Sequence, residues 1–338
     1  MAAALWLLAA LGIAAGGGAA WLFAATRGTR GVPATVSGDP ALPRMEVGGV
    51  TLHATLHGPP GAPVIVVLHG GPGGDHRSLL PLAALADGHR VLFYDQRGAG
   101  LSERVPDAAL TLEAHVEELG ALLDRVSPDR PATLIGHSWG AMLATAFLGR
   151  RPGRVAAAVL IEPGFLDAAG ARAWQARARR IMRRPAFLWR GLLAGFEAMH
   201  VRGPDPSARE DDLTGRMMAH FASDPATGYA CPGEDYDSPL WRAGARAGPS
   251  VMAKAGTAAL DALGGRAHRF AGPVLLMAGA CSHWIGPDHQ RGHLHLFRDA
   301  ELAVIEGAGH DVVDDAPKAA LARIRAFLSG PAARPAGA

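Results

Sequence analysis

The segment from Ala132 to Leu148 constrains this chain more than any other. Ala132 to Ile135 reads as a strand and Ala141 to Leu148 as a helix, with Gly136-His137-Ser138-Trp139-Gly140 between them. A turn that passes at once from strand to helix is sterically tight. Glycine two positions before and two after the serine removes the Cβ atoms that would collide. The Ser138 hydroxyl is then expected to stand clear at a helix N-terminus, where the Trp139 N–H can face a developing oxyanion.

Similar strand-to-loop transitions recur along the chain. Val64 to Leu68 is a continuous β-branched and leucine run, as expected of a strand buried on both faces, and His69-Gly70-Gly71-Pro72-Gly73-Gly74 follows it. That bend would let the Gly71 N–H approach a substrate oxygen as a second oxyanion donor. No G-K-[ST] follows, which argues against a phosphate loop. Val91 to Tyr94 is another strand. It leads into Asp95-Gln96-Arg97-Gly98-Ala99-Gly100-Leu101-Ser102, where Asp95 and Arg97 are expected to organise the loops under the site. Arg44 to Gly58 reads as a hairpin. Thr111 to Val126 reads as a helix capped by Thr111, and Val155 to Ile161 as a strand.

Residues 163–266 break the rhythm: helical spacing rich in Arg, Met, Trp and Ala, with no clear strand. Val274 to Met277, Leu302 to Ile305 and the helix Ala316 to Leu328 then resume it. Alternating strands and helices imply an α/β fold with a mostly parallel sheet, and the helical insertion implies a cap over one edge.

The motifs HGGPGG, DQRGAGLS and GHSWGA, in this order, resemble the α/β-hydrolase superfamily, and within it the proline iminopeptidase-like group of serine peptidases. The resemblance covers residues 45–162 and 272–328 and is weak in the cap. It implies a sheet of eight strands, a core formed by residues 45–162 and 267–330, a helical cap over residues 163–266, a Ser–acid–His triad and no cofactor or metal. His310, in the Gly-rich loop after the last strand, stands where such enzymes carry their general base.

The acid departs from the family pattern. Ser282 occupies the position, in the loop after Val274 to Met277, where an Asp is usual. Glu162, ending the strand Val155 to Ile161, is the first substitute, since some α/β-hydrolases carry their acid at that strand end. Asp288 is the second, and a Ser138–His310 dyad without an acid is the third. Family members also hold a substrate α-amine on cap carboxylates. The cap offers Glu197, Glu210, Asp211, Asp212, Glu234, Asp235 and Asp237.

Two cysteines, Cys231 and Cys281, exclude a disulfide-dense scaffold and a multi-cysteine zinc site. They are either two buried thiols or one bridge between cap and core. A bridge would close about 50 residues, stabilise by roughly 4 kcal/mol in the chain-entropy model and require an oxidising compartment. At the other end of the chain, Ala2 to Thr26 carries no charge, and Arg27 and Arg30 follow directly. A bilayer span takes about 20 apolar residues, so residues 1–26 read as a membrane anchor, with a signal peptide or a buried helix as alternatives. The arginines after the run favour a cytoplasmic main domain. Residues 27–44 read as a linker.

With 33 Lys plus Arg against 31 Asp plus Glu, no basic excess points to nucleic acid. The expected function is therefore a serine hydrolase acting on a small-molecule or peptide substrate, as an aminopeptidase-like enzyme or a carboxylesterase. A degenerate hydrolase fold used for binding is the rival, and Ser138 argues against a dehalogenase or epoxide hydrolase, which need an Asp nucleophile.

Overall fold

The computed structural model describes residues 16–28, 30–233, 236 and 240–330. Eight strands form one sheet in the order β1-β2-β4-β3-β5-β6-β7-β8. The hairpin β1 (Arg44–Val47) and β2 (Val50–His57) turns at Gly48 and Gly49, both in the left-handed region that glycine enters without cost. β2 runs antiparallel to β4 (Arg90–Tyr94). From there β3 (Val64–Leu68), β5 (Ala132–His137), β6 (Val155–Ile161), β7 (Val274–Gly279) and β8 (Ala300–Ile305) are parallel.

The parallel strands bring several chain segments to one edge of the sheet. The loops that leave β3, β5, β6, β7 and β8 all depart from that edge, where ligands bind in open α/β sheets. β3, β5 and β7 are buried along their whole length, because helices cover both faces of the sheet. One face packs α2 (Leu112–Val126) and α3 (Trp139–Arg150). The other packs a 3-10 segment, Arg77–Asp87, and α11 (Pro317–Ser329). Thr111 caps α2 by accepting from the Ala114 N–H, a contact worth about 1 kcal/mol. Helix α3 is buried on nearly every side, which explains its small residues and weak amphipathic pattern.

Between β6 and β7 lie five helices: α4 (Ala168–Met182), α5 (Pro185–Ala198), α6 (Ala208–Ala222), α7 (Ala247–Lys254) and α8 (Thr257–Gly264). Two devices fasten this insertion to the core. A disulfide joins Cys231 to Cys281. A buried ion cluster joins Arg104 of the core and Arg242 of the insertion to Asp211, with Asp205 also on Arg242. Asp75, just past the Gly-rich bend, accepts the N–H groups of Trp241 and Arg242. Two short helices, α9 (Pro287–Arg291) and α10 (Val312–Asp315), complete the core.

The described residues include only part of the uncharged N-terminal run. Residues 16–25 form a helix, α1, but residues 1–15 lie outside the described residues. Among the described residues no helix is long and apolar enough to cross a membrane, and most of the span expected over residues 1–26 lies outside them. The stretch read as a linker behaves differently. Thr35 and Val36 are buried, and this stretch is tied to the rest of the molecule where the Val36 N–H donates to Leu101 O and Arg242 donates to Pro33 O.

Asp211→Ala should leave both arginines without their shared carboxylate and destabilise the fold by about 3–5 kcal/mol, as removal of one partner from a buried ion pair does. A urea-denaturation midpoint indistinguishable from that of the unmodified chain would show that the cluster contributes nothing.

Candidate active site

β5 delivers Ser138 and the adjacent β6 delivers Glu162, each as the first residue beyond its strand. Neither continues the strand geometry. They are the two non-glycine residues with positive φ among the described residues, at 53° for Ser138 and 44° for Glu162. A positive φ costs an L-residue free energy, and such residues gather where the surrounding structure imposes them for a task. The Ser138 N–H donates to Ile161 O and the Glu162 N–H to Met277 O, so neighbouring strands lock both bends.

The glycines around Ser138 are required by space. A Cβ at Gly136 would lie 2.4 Å from Gly140 O, and one at Gly140 would lie 2.1 Å from Leu68 O. A Cβ at Gly70 would meet the Ser138 Cβ at 3.2 Å, which places the Gly-rich bend directly against the serine. Gly71, with a φ of 129°, sits in that bend. Among the described residues, neither the Trp139 N–H nor the Gly71 N–H has a hydrogen-bond partner. The Trp139 ring is anchored below, its Nε1–H donating to Gln96 Oε1. Gln96 in turn donates to His69 O, and its own N–H reaches His69 Nε2.

His310 comes from the loop after β8. Its Nδ1 lies 2.7 Å from Glu162 Oε2. The same carboxyl accepts the Gly279 N–H on Oε1 and the Ser282 hydroxyl on Oε2, both at 2.9 Å. Ser282, at the position where the family carries its acid, thus donates to Glu162. Asp288 is elsewhere: its side chain is 99% exposed and pairs with Arg291.

His310 is held on two sides. The His137 ring, beside Ser138 in sequence, packs 4.6 Å from it, and the Tyr229 ring stacks on it at 4.5 Å. The His310 N–H donates to Tyr229 O at 2.6 Å. Tyr229 and Cys231 belong to the insertion, so the disulfide fastens the segment that stacks on the imidazole. Trp284, Trp174 and Phe221 extend Tyr229 into an aromatic wall, with the Arg177 guanidinium over Trp284. Of these aromatic residues Tyr229 is the one that stacks on the histidine, a contact visible only in three dimensions.

Burial opposes charge on both partners of the acid–base pair. It raises the Glu162 carboxyl, against the pull of the Gly279 N–H and the Ser282 hydroxyl, and it lowers the His310 imidazole. Burial likewise pushes His137 down to about 4, so that imidazole is neutral at pH 7 and its Nε2 bonds to His310 O. Below the site Asp95, fully buried, binds Nδ1 of both His53 and His76 and accepts the Leu101 N–H, while Arg97 pairs with Glu118. Both residues organise loops, as expected of them.

A family model described as alpha/beta hydrolase fold matches residues 63–317. This chain belongs to the α/β-hydrolase fold family. A stretch of 104 residues is 43% identical to a proline iminopeptidase of Heyndrickxia coagulans, covering 30% of this chain and 35% of that one. Another match, 39% over 109 residues, is to epoxide hydrolase A of Mycobacterium tuberculosis, covering 31% of this α/β hydrolase and 33% of that enzyme. Such matches span about a third of the relatives' length. Among solved structures, the proline iminopeptidase of Mycobacterium smegmatis superposes with a TM-score of 0.56 at 21% identity, over 85% of this chain and 97% of that one. Est816, an N-acyl homoserine lactone degrading enzyme, superposes with a TM-score of 0.60 at 19% identity, over 84% and 100%. At these identities the likeness is one of fold.

Gly140→Ala should cost more than about 4 kcal/mol, because its Cβ would overlap a strand carbonyl. Gly153→Ala, with nothing within 4 Å of its Cβ, should change stability by less than about 0.5 kcal/mol. Equal thermal midpoints for the two variants would contradict this account of the turn.

Proposed function

We propose that this α/β hydrolase cleaves a carboxylic ester or amide by nucleophilic catalysis at Ser138. The Ser138 hydroxyl attacks the carbonyl carbon while His310 takes its proton. Glu162 holds the imidazole through Nδ1–H and stabilises the imidazolium that forms. The Trp139 and Gly71 N–H groups receive the oxyanion. Collapse expels the leaving group, protonated by His310, and water then hydrolyses the acyl-enzyme. The observation that carries this reading is the 2.7 Å contact between His310 Nδ1 and a buried Glu162. It supplies the acid that Ser282 cannot. The reading includes an N-terminal membrane tether through residues 1–26.

Between amide and ester, the insertion's carboxylates favour the ester. Asp205 and Asp211 are bound by Arg242, Asp212 and Glu197 by Arg216, and Asp224 by Arg184. Carboxylates neutralised in this way are poor receptors for a substrate α-amine. Glu210 is exposed, and Glu234, Asp235 and Asp237 lie outside the described residues. An apolar ester suits the aromatic wall beside His310. The iminopeptidases among the similar proteins support the amide instead. A panel of p-nitrophenyl esters and aminoacyl-naphthylamides separates the two.

Ser138→Ala should abolish both ester turnover and labelling by a fluorophosphonate, with the unfolding midpoint retained; labelling that persists would remove Ser138 from its role, and an unmodified chain that never labels would favour the binding-protein reading. Glu162→Gln should lower kcat by about 10³–10⁴-fold, by analogy with loss of a triad carboxylate, whereas Asp288→Asn should leave it unchanged. The reverse pattern would move the acid to Asp288. His310 must be neutral to accept a proton, and burial lowers its pKa. The acid limb of kcat/KM should therefore fall below the ordinary imidazole value of 6.5, activity being lost as pH drops through it. A limb above that value would contradict the assignment.

A further inference from the structure

Large apolar side chains are exposed unevenly on this molecule. Of the eight large apolar side chains that are exposed among the described residues, six lie on or beside α1, α4 and α5: Trp21, Met182, Leu188, Trp189, Leu192 and Met199. Leu188, Leu192 and Met199 fall on one stripe of a helical wheel, with Trp189 beside it. Trp21 belongs to α1, which is joined to the end of α5. The Phe23 ring packs 4.4 Å from His200, Thr26 Oγ1 lies 3.3 Å from His200 Nε2, and Arg30 pairs with Glu197.

The charge on the same elements is one-sided. From residue 168 to residue 198 the chain carries seven arginines (172, 177, 179, 180, 183, 184 and 190) against one acid, Glu197. Three of them, Arg179, Arg180 and Arg183, line a surface cleft of about 370 Å³ with Ala176. Apolar residues including tryptophan on one face of a helix, bordered by arginine, form the pattern of elements that lie in a membrane interface.

We propose that the α4–α5 face of the insertion docks on an anionic lipid surface, with Leu188, Trp189 and Leu192 entering the interface and Arg179, Arg180 and Arg183 meeting lipid phosphates. The charges select this occupant. Residues 1–15 contain no acid to meet the arginines, and a second copy of the same face would oppose like charge with like. The uncharged run that leads into α1 ends at this same face, so the chain arrives at the lipid where the arginines do. The inference does not rest on the role of Ser138.

The test uses the full chain with Leu192→Cys carrying an environment-sensitive nitrobenzoxadiazole label. The native cysteines are bonded to each other, so the introduced thiol takes the label. Vesicles of phosphatidylcholine with phosphatidylglycerol should shift the emission to the blue and allow quenching by spin-labelled lipid. Arg179→Gln with Arg180→Gln and Arg183→Gln should raise the lipid concentration needed roughly a hundredfold, at about fivefold per arginine. Circular dichroism and the thermal midpoint report that the variants remain folded. Three results would overturn the proposal. The label stays water-like on vesicles that carry the protein, so that only the N-terminal run holds it there. The label is already shielded without vesicles, so that residues 1–15 or a second copy cover the face. The response is the same on pure phosphatidylcholine and in the arginine variant.

Discussion

A carboxylate removed from water and pointed at an imidazole is the interaction on which this site depends. Glu162 is fully buried, and its charge there would be untenable without donors. The Gly279 N–H, the Ser282 hydroxyl and His310 Nδ1 supply them. Each donor comes from a different place: the end of β7, the loop after it, and the loop after β8. The parallel sheet matters because it brings those ends to one edge, within a few ångströms of the bend that carries Ser138. The hydrogen bonds offset the burial of Glu162 and also fix which nitrogen of His310 faces away from it.

The same economy of space explains the backbone. Ser138 and Glu162 hold φ values that L-residues avoid, and both bends are pinned by a hydrogen bond to the next strand. Glycine surrounds the serine because β3 and α3 approach too closely for any side chain. Strain and close packing thus occur at the two positions to which the proposed function assigns the nucleophile and the acid.

Much of this was legible in the residues. Continuous apolar runs marked the parallel strands, since a strand covered on both faces needs no alternation. The small residues of the turn marked Ser138, and a glycine-rich loop after the last strand marked His310. The acid was ambiguous for a physical reason: a hydroxyl at position 282 can only donate to a carboxylate, and nothing local indicates that the recipient lies on another strand. The contact of Tyr229 with His310 was equally hidden, because it joins a segment of the insertion to the far end of the chain. Long-range pairings of this kind leave no periodic trace. The composition of the N-terminal run suits a bilayer, and residues 1–15 of it lie outside the described residues.

The bridge between Cys231 and Cys281 changes what the insertion can do mechanically. Without it, the insertion's freedom to move would be limited by two chain crossings and by the Arg104–Asp211 and Asp75 contacts. A third covalent tether, placed beside the imidazole, removes that freedom. On the proposed function, substrate then reaches Ser138 through shifts of side chains and short loops, and the shape of the entrance, rather than the opening of a lid, becomes the filter.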